Sequence, residues 1–131
     1  MTAGEWMDLT VLERKKYNDL TEVLELTQQL GESLDRNDQV AVRMLIAMRQ
    51  DPLLHLEETE RTVKDRRKAL DGDSLERVKS LLDGAEPRSG EERTFLDQAG
   101  KTRRLLERVV ELDRRISLRM AGENSYYTKK K

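Results

Sequence analysis

The chain has no cysteine, two prolines and one tryptophan in 131 residues, and only 4% of it is aromatic. Without cysteine there are no disulfides and no thiolate metal sites, so a reducing compartment is tolerated. Few aromatics leave little on which nucleic-acid bases could stack. No stretch approaches the roughly 20 consecutive apolar residues that a membrane span requires. Residues 1–12 do not join a basic stretch to an unbroken apolar run, because Glu5 and Asp8 interrupt them. No secretion signal is read there, and a cytoplasmic protein with no membrane insertion is the expectation. Period-two alternation, the mark of a half-buried strand, is missing as well, so no sheet is expected.

What the chain has is charge. Lys, Arg, Asp and Glu make up 39% of it, against the usual quarter or so, which favours long thin helices with wet outer faces over a thick core. At this length a single domain is expected, over residues 1–122. The net charge of −1 hides an asymmetry: residues 101–131 hold ten Lys/Arg against four Asp/Glu, leaving 15 against 22 in the first hundred. A basic C-terminal segment of this kind attracts either the acidic body or an acidic partner. It also suits the negative end of a helix dipole.

Apolar positions recur at helical spacing. Leu9, Leu12, Leu20, Val23, Thr27, Leu30 and Leu34 fall on one face of a first helix over residues 5–36, roughly 45 Å long at 1.5 Å per residue. Asn37 and Asp38 then supply turn and N-cap chemistry. Ala41, Val42, Leu45, Met48, Leu53, Leu56, Val63 and Leu70 make a second stripe, with Gly72 as its stop. Pro52 lies inside that stripe, where it removes a backbone donor and crowds the preceding turn, so a kink is expected within residues 48–51, with a full break as the alternative. The short link forces the two helices antiparallel, pairing positions whose numbers add to about 75 and bringing Lys16 near Glu60 as a cross-helix ion pair. Asp73 and Glu76 have capping-box spacing ahead of a short third helix that ends at Gly84. Ser89 and Glu92 repeat that spacing before a last helix over residues 91–120, with Gly122 as its stop. Residues 123–131 show no periodicity and read as a disordered basic tail. The fold class is therefore all-α: an antiparallel helical bundle with a long hairpin, one short helix and one long C-terminal helix.

No chemistry emerges from this pattern. The one histidine, His55, falls at the edge of the second stripe with no nucleophile motif beside it, and reads as a boundary residue packed on its neighbours. Glu58 follows it at i+3, but a four-helix di-iron site needs two such Glu/His pairs. Neither phosphate-loop pattern occurs. Glu57, Glu58 and Glu60 read as a solvated helix face. The basic clusters around Lys64 to Lys68 and Arg103 to Arg119 are interleaved with acids, which argues against nucleic acid. The chain is thus expected not to be an enzyme and to hold no cofactor or metal.

The remaining signal is the width of the last helix's apolar face. Leu105, Val109, Leu112, Ile116 and Met120 form a stripe about 80° wide, and Ala99, Leu106 and Val110 extend it to about 160°. One reading has this helix packed between two others of its own bundle. The other leaves an edge for a partner's amphipathic helix. The partner-binding residues expected on that reading are Phe95, Ala99, Leu106, Val109, Val110 and Ile116.

The order of elements, together with Leu24-Glu25-Leu26-Thr27, Leu34-Asp35-Arg36-Asn37-Asp38, and the run from Leu45 through Met48-Arg49-Gln50 to Leu53-Leu54, resembles the flagellar type III export chaperones of the FlgN and FliT type. The resemblance spans about residues 9–120 and rests on degenerate coiled-coil patterns. It implies a cytoplasmic chaperone that binds the C-terminal helical segments of hook-filament junction or filament-cap subunits. Such a chaperone keeps those subunits unpolymerised and delivers them to the export gate, with residues 95–120 as the binding or self-covering element. A structural coiled-coil adaptor or self-associating bundle, with the broad stripe as a homodimer interface, is the alternative.

Overall fold

The computed structural model describes the backbone of residues 1–130 and the side chains of residues 1–122. Five helices cover 87% of the chain, and the described residues contain no strand. They are α1 (Ala3–Asp35), α2 (Gln39–Met48), α3 (Gln50–Lys68), α4 (Gly72–Leu82) and α5 (Gly90–Lys130). The expected all-α bundle is what forms.

Local chemistry places the ends of these helices. Thr2 and Glu5 close a capping box at the start of α1: the Glu5 amide donates to Thr2 Oγ1 at 3.1 Å and the Thr2 amide to Glu5 Oε1 at 3.0 Å. At the other end Asn37 takes φ 56°, a left-handed conformation that Asn tolerates better than most residues. Its amide reaches the Leu34 carbonyl while the Asp38 amide reaches that of Ser33. The freed Asp38 carboxylate then caps α2 by accepting from the Ala41 amide at 3.1 Å. One three-residue link thus ends one helix and starts the next.

α2 and α3 are one kinked rod. Pro52 has no N–H to give the Met48 carbonyl, yet Arg49 still donates to Leu45 and Leu53 to Arg49, at 3.0 and 3.2 Å. The chain therefore bends at Arg49 without breaking, inside the window expected from the proline. The hairpin register holds too, since Asp8 and Arg66 meet at 3.5 Å across α1 and α3. The expected Lys16–Glu60 pair does not form: Lys16 turns along its own helix to Glu13, at 3.7 Å. An i,i+3 partner is held within reach by the helix itself, whereas one on another helix is brought there only by packing.

Three boundaries differ from the sequence expectation. Gly72 does not stop the second rod, which ends at Lys68; it is instead the first residue of α4, capped by Asp71 Oδ1 on the Ser74 amide at 2.7 Å. That cap precedes the expected Asp73. Gly122 does not stop α5, which continues to Lys130. A single interior glycine costs only about 1 kcal/mol relative to alanine and is no barrier without a following proline. The backbone of residues 123–130, where a disordered tail was expected, forms the end of α5, while their side chains and Lys131 altogether lie outside the described residues.

The helices pack with α1 as spine. α2 and α3 run antiparallel to it, and α4 crosses the end so that α5 returns parallel to α1. The parallel sense follows from pairs that rise together: Trp6 with Phe95, Glu13 with Thr102, Asp35 with Arg119. Three apolar clusters stack along the bundle. Trp6, Leu9, Val78, Leu81 and Phe95 fill the end under α4. Leu20, Val23, Leu105 and Val109 fill the middle, flanked by Leu53 and Leu56. Leu26, Leu30, Leu34, Val42, Leu45 and Ile116 fill the end near the α1–α2 turn. Between the first two clusters lies a buried polar layer of Thr10, Glu13 and Thr102.

Candidate functional site

α5 is the element on which the expected partner surface was placed, and its faces separate clearly. Phe95 is 2% exposed and stacks on Trp6 with ring centroids 5.4 Å apart. Val109 and Ile116 are buried in the middle and far clusters, and Ala99 is half-buried against the Trp6–Phe95 cluster. These four of the six expected partner-binding residues are consumed by the fold itself. The reason is that α1 runs alongside α5 over nearly all of its own length and covers Phe95, Val109 and Ile116, while Leu112 and Met120 of the same stripe are half-buried. Leu106 and Val110 are different, at 37% and 56% exposed.

Those two residues sit on the edge of α5 turned towards the kinked rod. The same edge carries Asp113, whose Oδ1 accepts from Arg49 Nη2 at 2.7 Å. Arg49 stands at the kink, and its side chain is only 14% exposed. The ion pair ties α5 to the bend of the rod, and the apolar edge begins one turn away from it. Leu53 and Leu56 of α3, half-buried on the middle cluster, lie on the rod beyond the bend.

The opposite edge of α5 forms a groove with α1 of ≈ 610 Å³, floored by Leu24 and Leu112 and rimmed by Arg104, Arg108 and Arg115 on one side and Gln28 on the other. Its carboxylates are already engaged. Glu111 accepts from Arg114 and Arg115, which hold it below the ordinary carboxylate range. Glu107 pairs with Arg103 at 3.6 Å.

A third surface was missed from sequence. The outer face of α2 exposes Val40, Met44 and Met48 beside Gln29 and Glu32 of α1. The signal was there: α2 has one charged residue, Arg43, in its ten, against 39% for the whole chain. A helix apolar all round has more apolar surface than one neighbour can cover.

His55 lies exposed in a shallow depression with Lys15, Asp19 and Glu58, polar on every side. It is on the surface, where a boundary residue packed on its neighbours was expected. Among the described residues no group of three or more His, Asp or Glu side chains is placed to hold a metal ion. No helix among them is long and apolar enough to cross a membrane.

No protein-family model, no curated protein and no solved structure matches this chain.

Proposed function

We propose that this protein is a binding module that shields an amphipathic helix of another protein, and that its clients are C-terminal helical segments of hook-filament junction or filament-cap subunits. One observation supports the first half: on a helix whose inner stripe is spent inside the bundle, Leu106 and Val110 stay exposed side by side. Filament-type subunits polymerise through apolar helices, and covering one gains roughly 25 cal/mol for each Å² of apolar surface removed from water. The cost of ordering the client segment offsets much of that gain, which keeps the complex reversible. The client class comes from the resemblance to flagellar export chaperones. It makes the protein a chaperone of type III export.

Titration of the full-length protein with labelled C-terminal peptides of such subunits tests the proposal. Saturable binding, weakened about tenfold or more by Leu106→Asp or Val110→Asp, is the expected result, since each substitution removes an apolar contact and buries a charge. Failure of every such peptide removes the client assignment. Binding that ignores both substitutions removes the site.

Self-association is the second reading, favoured by Val40, Met44 and Met48 on the outer face of α2. Exposed methionines adapt to varied apolar partners, a second copy of the chain included. Sedimentation equilibrium decides it: a dimer dissociated by Met44→Glu supports the reading, and a monomer at all concentrations rejects it.

A further inference from the structure

We propose that the groove between α1 and α5 is a second docking surface, separate from the Leu106–Val110 edge, and that its occupant is an acidic amphipathic helix of a partner protein. The argument is one of charge and floor. Both carboxylates in the groove are already paired: Glu107 with Arg103 at 3.6 Å, and Glu111 with Arg114 at 3.0 Å and with Arg115 of the rim at 3.3 Å. Two arginines in the groove, Arg104 and Arg108, have no acidic partner among the described residues. The cationic rim is therefore held open instead of being closed by the bundle's own acids. It lies in the one segment of the chain with a large excess of positive charge, ten Lys/Arg against four Asp/Glu over residues 101–131.

The floor selects the kind of anion. Leu24 and Leu112 line it and no aromatic ring does, so it offers an apolar strip to aliphatic side chains and nothing on which bases could stack. Glu107 and Glu111 also stand among the arginines, where a continuous phosphate backbone would have to pass over them. A helix carries its charges at separate points and avoids that conflict. Arg104 and Arg108 are one helical turn apart, about 6 Å along the axis, while Arg115, two turns further on, is already engaged by Glu111 at 3.3 Å. A partner helix of three turns, with Asp or Glu at the matching turns and leucine-like residues between them, meets both the rim and the floor. The opposite rim, Gln28, is uncharged and repels neither class of residue.

The test uses the full-length protein and a labelled helical peptide of about 18 residues, built of leucine at spacings of three and four with glutamate elsewhere. A second peptide has lysine for glutamate, and a short DNA duplex is the third probe. Fluorescence anisotropy is expected to show saturable binding of the glutamate peptide alone. Arg104→Gln with Arg108→Gln should weaken it by about tenfold, as the loss of two rim charges implies. Val110→Asp should leave it unchanged, which keeps this outcome distinct from that of the apolar edge. Both arginines are exposed, so circular dichroism is expected to show an unaltered fold. No binding of the glutamate peptide, or binding indifferent to the two arginines, overturns the proposal. So does a DNA duplex that binds as tightly with the same arginine dependence, which would make the groove a nucleic-acid surface.

Discussion

Arg49 and Asp113, 64 positions apart, meet at 2.7 Å, joining the bend of the second rod to the edge of the last helix. Arg49 is largely withdrawn from water and its Nε has no hydrogen-bond partner. The guanidinium thus depends on a single carboxylate. Removing that carboxylate leaves a mostly buried charge uncompensated.

Asp113→Ala is accordingly expected to destabilise the bundle by about 1 to 3 kcal/mol. Arg49→Met with Asp113→Ala should cost less than Asp113→Ala alone, because no stranded charge remains. Urea unfolding of Asp113→Ala, Arg49→Met and the double variant measures the difference. A double variant as unstable as the sum of the two singles would show that the pair is not coupled.

Substitutions along α5 should divide by face. Phe95→Ala empties a buried ring site against Trp6 and is expected to cost about 3 to 5 kcal/mol. Val110→Asp, on the exposed edge, should change stability by no more than about 0.5 kcal/mol while weakening client binding. Thermal unfolding and peptide titration together read out this division. Equal loss of stability at both positions would mean that the Val110 edge is also packed.

Gly31 of α1 faces Ile116 of α5. A Cβ built there would stand 3.0 Å from Ile116 Cδ1, the flexible end of a side chain. Gly31→Ala should therefore be nearly neutral, its helix-propensity gain of about 1 kcal/mol offset by the squeeze on Ile116. With Ile116→Val removing the crowded methyl, Gly31→Ala should become stabilising. Gly31→Leu should force the two helices apart and cost about 2 kcal/mol or more. Denaturant midpoints of the series test the order.

The pairing of α4 with α5 should make stability fall in acid. Burial pushes the Glu92 carboxyl up, but the Arg77 guanidinium, with Nε at 2.9 Å, and the Arg88 amide outweigh it and hold Glu92 below its ordinary value of 4.5. A carboxyl with a depressed folded-state pKa contributes stability that is fully present above the unfolded value. That stability is lost as pH falls through the folded one. The wild type should thus lose stability below pH 4.5 more steeply than Glu92→Gln, which has no titrating group at this position. Parallel curves for the two proteins would assign the acid sensitivity elsewhere.

Much of this architecture was legible because it is local. The Asn37–Asp38 turn and the bend before Pro52 are set by a residue's own backbone preference, and the last helix begins at Ser89, whose Oγ accepts the Glu92 amide at 3.1 Å. Even there the reading was half of the chemistry. The Glu92 carboxylate turns to Arg77 and not back to the Ser89 amide, because α4 lies within reach. Glycine misled for a related reason: Gly72 and Gly122 can end a helix but need not, and neither occurs with a left-handed φ of the kind seen at Gly84.

The sequence by itself determined the helical class, the antiparallel hairpin and the angular width of the apolar face on the last helix. Each depends on spacing within a few turns. Only the tertiary structure decided how that width is spent. It buries Phe95, Val109 and Ile116 against α1, leaves Leu106 and Val110 in solvent, and exposes the outer side of α2. A helical wheel fixes the angle at which a side chain leaves its own axis. Whether a neighbour stands at that angle depends on contacts such as Arg49 with Asp113, formed between residues that spacing cannot relate.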